Sequence, residues 1–92
     1  MPYRIEFSKH IDRRDIKKIS RINLLFIRRA IEEKLTTHPE IFGKPLRTSL
    51  QGCWSLRVDD YRIVYRIEEK TVRIYVIADR STAYKEAQKR LW

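Results

Sequence analysis

The chain is poor in the residues that staple, anchor or export a protein. It has one cysteine, Cys53, in 92 residues, so no internal disulfide can form. No apolar run approaches the roughly 20 residues that cross a bilayer as a helix. The opening stretch MPYRIEFSKHIDRRD has no signal-peptide core. These absences lead to the expectation of a cytoplasmic protein with no membrane partner. The two histidines, His10 and His38, are far apart and have no cysteine nearby. Zinc-binding spacings are therefore missing, and neither a metal nor a cofactor is expected. Repeats, low-complexity tracts and linkers are missing too, so residues 1–92 are expected to form one domain with one modest core.

Acidic side chains are also in short supply. Twelve Asp and Glu face 21 Lys and Arg, for a net charge of +9 and a pI near 10.1. That balance favours a polyanionic partner: nucleic acid first, an acidic protein second, a membrane surface third. Hydrophobic residues make up 42%, enough for a globular fold, and charged residues make up 36%, which must cover most of the outside.

The apolar pattern divides the chain into two halves. Tyr3 to Phe7 alternates with a period of two and predicts a short strand. Ser8 is a candidate cap for a short helix running to about Ile19, with Ile16 and Ile19 on one side. A second helix is expected from about Arg21 to Leu35, because Leu24, Ile27, Ile31 and Leu35 recur at helical spacing. The stretch from His38-Pro39 to Gly43-Lys44-Pro45 breaks regular structure. From Trp54 onward the period returns to two. Asp59-Asp60 and Glu69-Lys70 read as turns, so the segment predicts a three-stranded antiparallel meander. A last helix is expected from about Ser81, itself a candidate cap, to Leu91. The predicted class is α+β: a small antiparallel sheet of the N-terminal strand plus the meander, two N-terminal helices on one face, and a short C-terminal helix.

Alternation assigns the meander two faces. Trp54, Leu56, Val58, Tyr61, Ile63, Tyr65, Ile67, Val72, Ile74, Val76 and Ala78 form the expected core face. The opposite face carries Arg57, Arg62, Arg66 and Arg73. With two-residue turns, Arg57 lies opposite Arg62, and Arg66 lies opposite Arg73. Like charges directly opposite destabilise a sheet, so two such pairs point to a bound anion. The alternative is a plain solvated face, although arginine matches phosphate geometry better than solvation requires. Arg80 and Tyr84 stand where the last strand meets the last helix, whose N-terminus favours phosphate. Neighbouring cations favour phenolate over phenol, which makes Tyr84 a candidate general base; the competing reading is a core tyrosine that anchors the helix. Lys44 and Arg47, in the loop before the sheet, are candidate phosphate contacts.

Three runs carry a resemblance. They are Gly43-Lys44-Pro45-Leu46-Arg47, Leu56-Arg57-Val58-Asp59-Asp60-Tyr61-Arg62-Ile63-Val64-Tyr65, and Ile77-Ala78-Asp79-Arg80-Ser81-Thr82-Ala83-Tyr84. Together they resemble the RelE/ParE toxin superfamily over nearly the whole chain. The resemblance implies a toxin of a type II toxin–antitoxin system held by a cognate acidic antitoxin. In the ribonuclease branch it implies metal-independent cutting of mRNA, often in the A site of the 30S ribosomal subunit, by attack of the ribose 2′-hydroxyl on the adjacent phosphate. Carried over by position, Arg62 would stabilise the pentacoordinate phosphate. Arg80 would hold the phosphate or assist the leaving oxygen, and Tyr84 would stack on a base or assist proton transfer. Arg57 and Arg47 would position the RNA backbone, with Lys44, Arg66 and Arg73 as further RNA contacts. That branch places lysines on the strand held here by Cys53 and Ser55, and a histidine where Asp79 stands. The resemblance leaves two other readings open: a gyrase inhibitor of the ParE branch, and a member that only binds its antitoxin.

Overall fold

The computed structural model describes residues 2–11 and 13–91; Asp12, inside the expected first helix, lies outside the described residues. Strand β1 (Arg4–Phe7) leads into helices α1 (Arg13–Lys17) and α2 (Arg21–Ala30), and α2 widens into a π-type coil over Ile31–Leu35. Helix α3 (Pro39–Phe42), the two-residue strand β2 (Lys44–Pro45) and a 3-10 turn (Thr48–Leu50) follow. The chain ends with β3 (Trp54–Val58), β4 (Tyr61–Glu68), β5 (Thr71–Asp79) and α4 (Ala83–Leu91). The strands form one sheet in the order β1-β5-β4-β3-β2.

The α+β class and the meander are as expected. Val58 pairs with Tyr61 and Glu68 with Thr71, so both turns are two residues long. Asp59 and Glu69 adopt positive φ of 55° and 58° at these corners, as tight hairpins require. The sheet is mixed, however, because β1 runs parallel to β5. Alternation within a strand shows which residues face the core but says nothing about strand direction. The segment expected to be irregular after His38 contains α3 and β2, with Pro39 at the helix start, where its missing N–H costs nothing.

Two of the expected caps are displaced. Ser8 Oγ accepts the His10 amide at 3.2 Å in a turn, and the first helix begins only at Arg13. Ser20, rather than any earlier serine, caps a helix: its side chain accepts the Asn23 amide at 3.3 Å at the start of α2. Ser81 does not cap α4. Its amide donates to the Asp79 carboxylate at 2.9 Å, and its hydroxyl also bonds that carboxylate.

One side of the sheet packs on α2 as expected. Ile19, Ile27, Ile31, Leu35, Leu56, Ile63, Tyr65, Val72 and Ile74 are buried there. Val76 and Ala78, assigned to this side by alternation, lie on the other, while Ile77 belongs to the first core. The cause is a bulge. Val64 pairs with Val76 but Tyr65 pairs with Ile74, leaving Tyr75 as the extra residue. One extra residue inverts the phase of everything after it.

The second side is therefore not purely basic. Leu50, Cys53, Val64, Val76, Ala83 and Ala87 form a second buried cluster beneath α4. Alanines at i and i+4 let the helix approach the sheet closely. Arg90 fastens α4 from its far end. It donates to the Tyr75 carbonyl at 2.8 Å and pairs with Asp15 at 2.9 Å, linking α4 to α1. Among the described residues, no helix is long and apolar enough to cross a membrane.

Candidate nucleic-acid interface

β3 and β4 bring Arg57 and Arg62 directly opposite each other. Arg62 also pairs with Ala78, across β4 and β5, so it shares the α4 side of the sheet. Its Nη1 folds back to donate to the Asp59 and Tyr61 carbonyls at 3.1 and 3.0 Å. These bonds partly offset the repulsion from Arg57. Arg80 follows the last residue of β5, and its backbone amide bonds the Asp60 carbonyl at 2.8 Å. The β3–β4 turn thus holds Arg80 at the same end of the sheet as Arg57 and Arg62.

Tyr84, in the first turn of α4, reaches the sheet from above. Its hydroxyl lies 3.2 Å from Ser55 Oγ. Ser55 is only 6% exposed; Tyr84 is 37% exposed, so its ring stays open to solvent while its oxygen is held. Tyr84 is therefore not a fully buried core tyrosine. Lys44 of β2 stands directly opposite Ser55 on β3, a relationship that places both side chains on one face. Ser55 was noted in the sequence only for not being lysine. Its link to Tyr84 spans 29 residues and has no local signature.

Arg66 and Arg73 also face each other, but at the opposite end. Four residues along a strand separate Arg62 from Arg66, about 13 Å. Arg73 is matched by acids: Glu6 at 2.8 Å and Glu68 at 3.5 Å. Its buried Nε makes no hydrogen bond even so. Arg66 lies beside the Gly52–Cys53 corner. Burial pushes the Cys53 thiol up, and the nearby Arg66 charge offsets part of that rise. Arg47, exposed, precedes the 3-10 turn. None of the ion pairs among the described residues involves Lys44, Arg47, Arg57, Arg62, Arg66 or Arg80.

The start of α4, expected to attract phosphate, already carries an anion of the chain itself. Hydrogen bonds from Ser81 hold the Asp79 carboxyl below the usual carboxylate range. A depressed acid stabilises the fold above its ordinary value of 3.8 and loses that contribution as pH falls through the lowered value. The melting-temperature advantage of the wild type over Asp79→Asn is expected to hold from pH 7 down to about the ordinary carboxylate value and then shrink. Thermal melts of both proteins across that range measure it, and a constant difference would show that the Asp79 charge is immaterial.

This fold is shared with known toxins. The toxin–antitoxin complex RelBE2 from Mycobacterium tuberculosis has a chain that superposes with a TM-score of 0.78 at 34% identity, covering 87% of this chain and all (100%) of that one. YafQ from E. coli shares the fold at 20% identity, with a TM-score of 0.59 over 87% of this chain and 96% of that one. Fold and sequence together define a member of the RelE/ParE toxin superfamily. Toxin RelG of M. tuberculosis is 34% identical over 77 residues, 84% of this chain and 87% of that protein. Toxin RelE of the same organism is 43% identical over 53 residues, a match spanning about half of each chain (55%). The profile of the ParE toxin of type II toxin–antitoxin systems matches residues 5–84, and the chain belongs to that family.

Proposed function

We propose that this toxin is a metal-independent endoribonuclease that cuts mRNA at the ribosome, with Arg57, Arg62 and Arg80 gathered around the scissile phosphate and Tyr84 beside it. The observation that carries this reading is the Arg57–Arg62 pair. Two guanidinium groups face each other and neither forms an ion pair among the described residues, although Asp59, Asp60 and Asp79 stand at the same corner, whereas Arg73 and Arg90 elsewhere are acid-paired. An arrangement that costs stability is accounted for by an anion that joins the two. Lys44 and Arg47 extend the cationic surface along the adjoining edge and loop, where an RNA backbone would run. The inhibitor is an acidic antitoxin that covers this corner, in keeping with the antitoxin-bound relatives. Charge complementarity makes its association fast and salt-sensitive.

The deciding experiment is primer-extension mapping of transcripts after induction of the toxin. Discrete cuts with 2′,3′-cyclic phosphate ends are expected. Intact RNA accompanied by gyrase-linked DNA damage would overturn the reading and favour the gyrase-inhibitor branch, to which the matching ParE profile gives weight.

A second outcome separates the arginines. Arg57→Ala is expected to weaken RNA binding about equally for all sequences and to reduce the salt slope by about one. Arg73→Ala should leave that slope unchanged, since Glu6 and Glu68 already neutralise it. Fluorescence anisotropy over a salt series measures both, and equal slopes for the two variants would contradict the assignment.

A further inference from the structure

We propose that Lys44 is the proton donor to the leaving 5′-oxygen; the proposal rests on the ribonuclease reading above. The argument begins with what the other cations cannot do. Arginine holds its charge but does not release a proton under working conditions. Among Arg57, Arg62, Arg80 and Lys44, only Lys44 can transfer one. Its position is defined by the fold. β2 is only two residues long, and its pairing sets Lys44 opposite Ser55, whose Oγ lies 3.2 Å from the Tyr84 hydroxyl. Side chains directly opposite on neighbouring strands have Cβ atoms about 5 Å apart, well within the span of a lysine stem. Lys44 is exposed and has no ion pair among the described residues. Its ammonium is thus available to a substrate lying across Arg57 and Arg62.

The step balances as follows. The ribose 2′-oxygen forms a bond to phosphorus, and the phosphorus–O5′ bond breaks with its electron pair going to O5′. The 2′-hydroxyl proton passes to a water molecule beside the Tyr84 hydroxyl, which lies 3.2 Å from Ser55 Oγ. The Lys44 ammonium gives a proton to O5′. The products are a 2′,3′-cyclic phosphate and a 5′-hydroxyl, and proton exchange with water restores the Lys44 ammonium.

Lys44→Arg is the discriminating variant, because it keeps the charge and the phosphate contact but cannot supply the proton. The test compares wild type and Lys44→Arg on two RNA oligonucleotides, with and without ribosomes. One oligonucleotide has the natural linkage; the other has sulfur in place of the bridging 5′-oxygen at the cut site, a leaving group that departs without protonation. On the natural linkage Lys44→Arg is expected to be slower by about 10²–10⁴, the usual range for general acid–base catalysis. On the sulfur-bridged linkage it should come within about tenfold of wild type, while Arg62→Ala stays slow on both. Wild-type rates for Lys44→Arg on the natural linkage would overturn the proposal, showing that only charge matters. Equal slowing on both linkages would overturn it too, because it would mean lost binding or a displaced strand. If the wild type cuts neither RNA, the ribonuclease reading itself falls, and this proposal with it.

Discussion

Arg62→Ala is expected to reduce RNA cleavage by about 10²–10³ and to relieve growth arrest on induction, while the protein stays folded. The pentacoordinate phosphate carries more negative charge than the phosphodiester from which it forms. A cation held in place before the reaction stabilises that extra charge without reorganising, and this is often the largest catalytic contribution. Arg62 sits directly across from Arg57 and is anchored by the Asp59 and Tyr61 carbonyls. Two opposing stability effects accompany its removal. The carbonyl bonds are lost, and the repulsion from Arg57 is relieved. Both act near the surface, so the net change is expected to stay within about 1 kcal/mol. The apolar side of the sheet, where Ile63 and Tyr65 are fully buried, is untouched. Cleavage assays with thermal melting as the folding control test this. A folded Arg62→Ala protein that retains full toxicity would remove the phosphate site from this corner and bring the gyrase reading forward.

The largest expected effect on stability comes from a methyl group. In Gly43→Ala, the added carbon would lie 1.7 Å from the Tyr65 hydroxyl oxygen, 2.8 Å from its Cζ and 3.0 Å from the Pro39 carbonyl oxygen. Backbone freedom is not the issue, because Gly43 has φ −86° and ψ 166°, which other residues adopt readily. The issue is space. Tyr65 is fully buried in the first core, and its hydroxyl donates to the Pro39 carbonyl at 2.6 Å. Burial also pushes the phenol well above its ordinary value, so it remains a donor. Either the ring moves within a packed core or the α3–β2 connection shifts. Overpacking costs up to about 3 kcal/mol and losing the hydrogen bond about 1 more, so a loss of about 4 kcal/mol is expected. For a domain this size that lowers Tm by about 20 °C.

Tyr65→Phe alone should cost only about 1 kcal/mol, since the Pro39 carbonyl also accepts the Gly43 amide at 3.1 Å. Combining Tyr65→Phe with Gly43→Ala removes the closest clash and should recover about half the loss, a positive coupling between neighbours. Calorimetry of the two single variants and the double variant measures it. Simple additivity would show that the Tyr65 hydroxyl is not what excludes a side chain at Gly43. Lys44 is the next residue, so a shift there should also impair cleavage.

How much of this was legible in the sequence depends on how local the determinant is. The stripe of Ile27, Ile31 and Leu35 along α2 and its π-type continuation was legible because helical spacing alone places these residues on one side. The opposition of Arg57 and Arg62 was legible because a two-residue turn fixes the register on both sides of it. Ile74 to Ala78 is different. The run Ile-Tyr-Val-Ile-Ala is apolar at almost every position, so alternation has no contrast from which to set its phase. The bulge at Tyr75 then decided that Ile77, and not Val76, would enter the first core. The second core was not legible: Val64 and Cys53 lie on the face read as basic, and only the return of Ala83 and Ala87 in α4 covers them.

By itself the sequence determined the α+β class, the two hairpin corners, the buried side of α2 and the concentration of arginine on β3 and β4, all of which follow from period, turn chemistry and charge within about ten residues. The tertiary structure alone decided that β1 runs parallel to β5, that Glu6 neutralises Arg73 across 67 residues, that Ser55 holds Tyr84, and that Lys44 stands opposite Ser55. The physical reason is that these pairings join segments with no local periodicity in common. Their partners are chosen by how two cores close on opposite sides of one sheet.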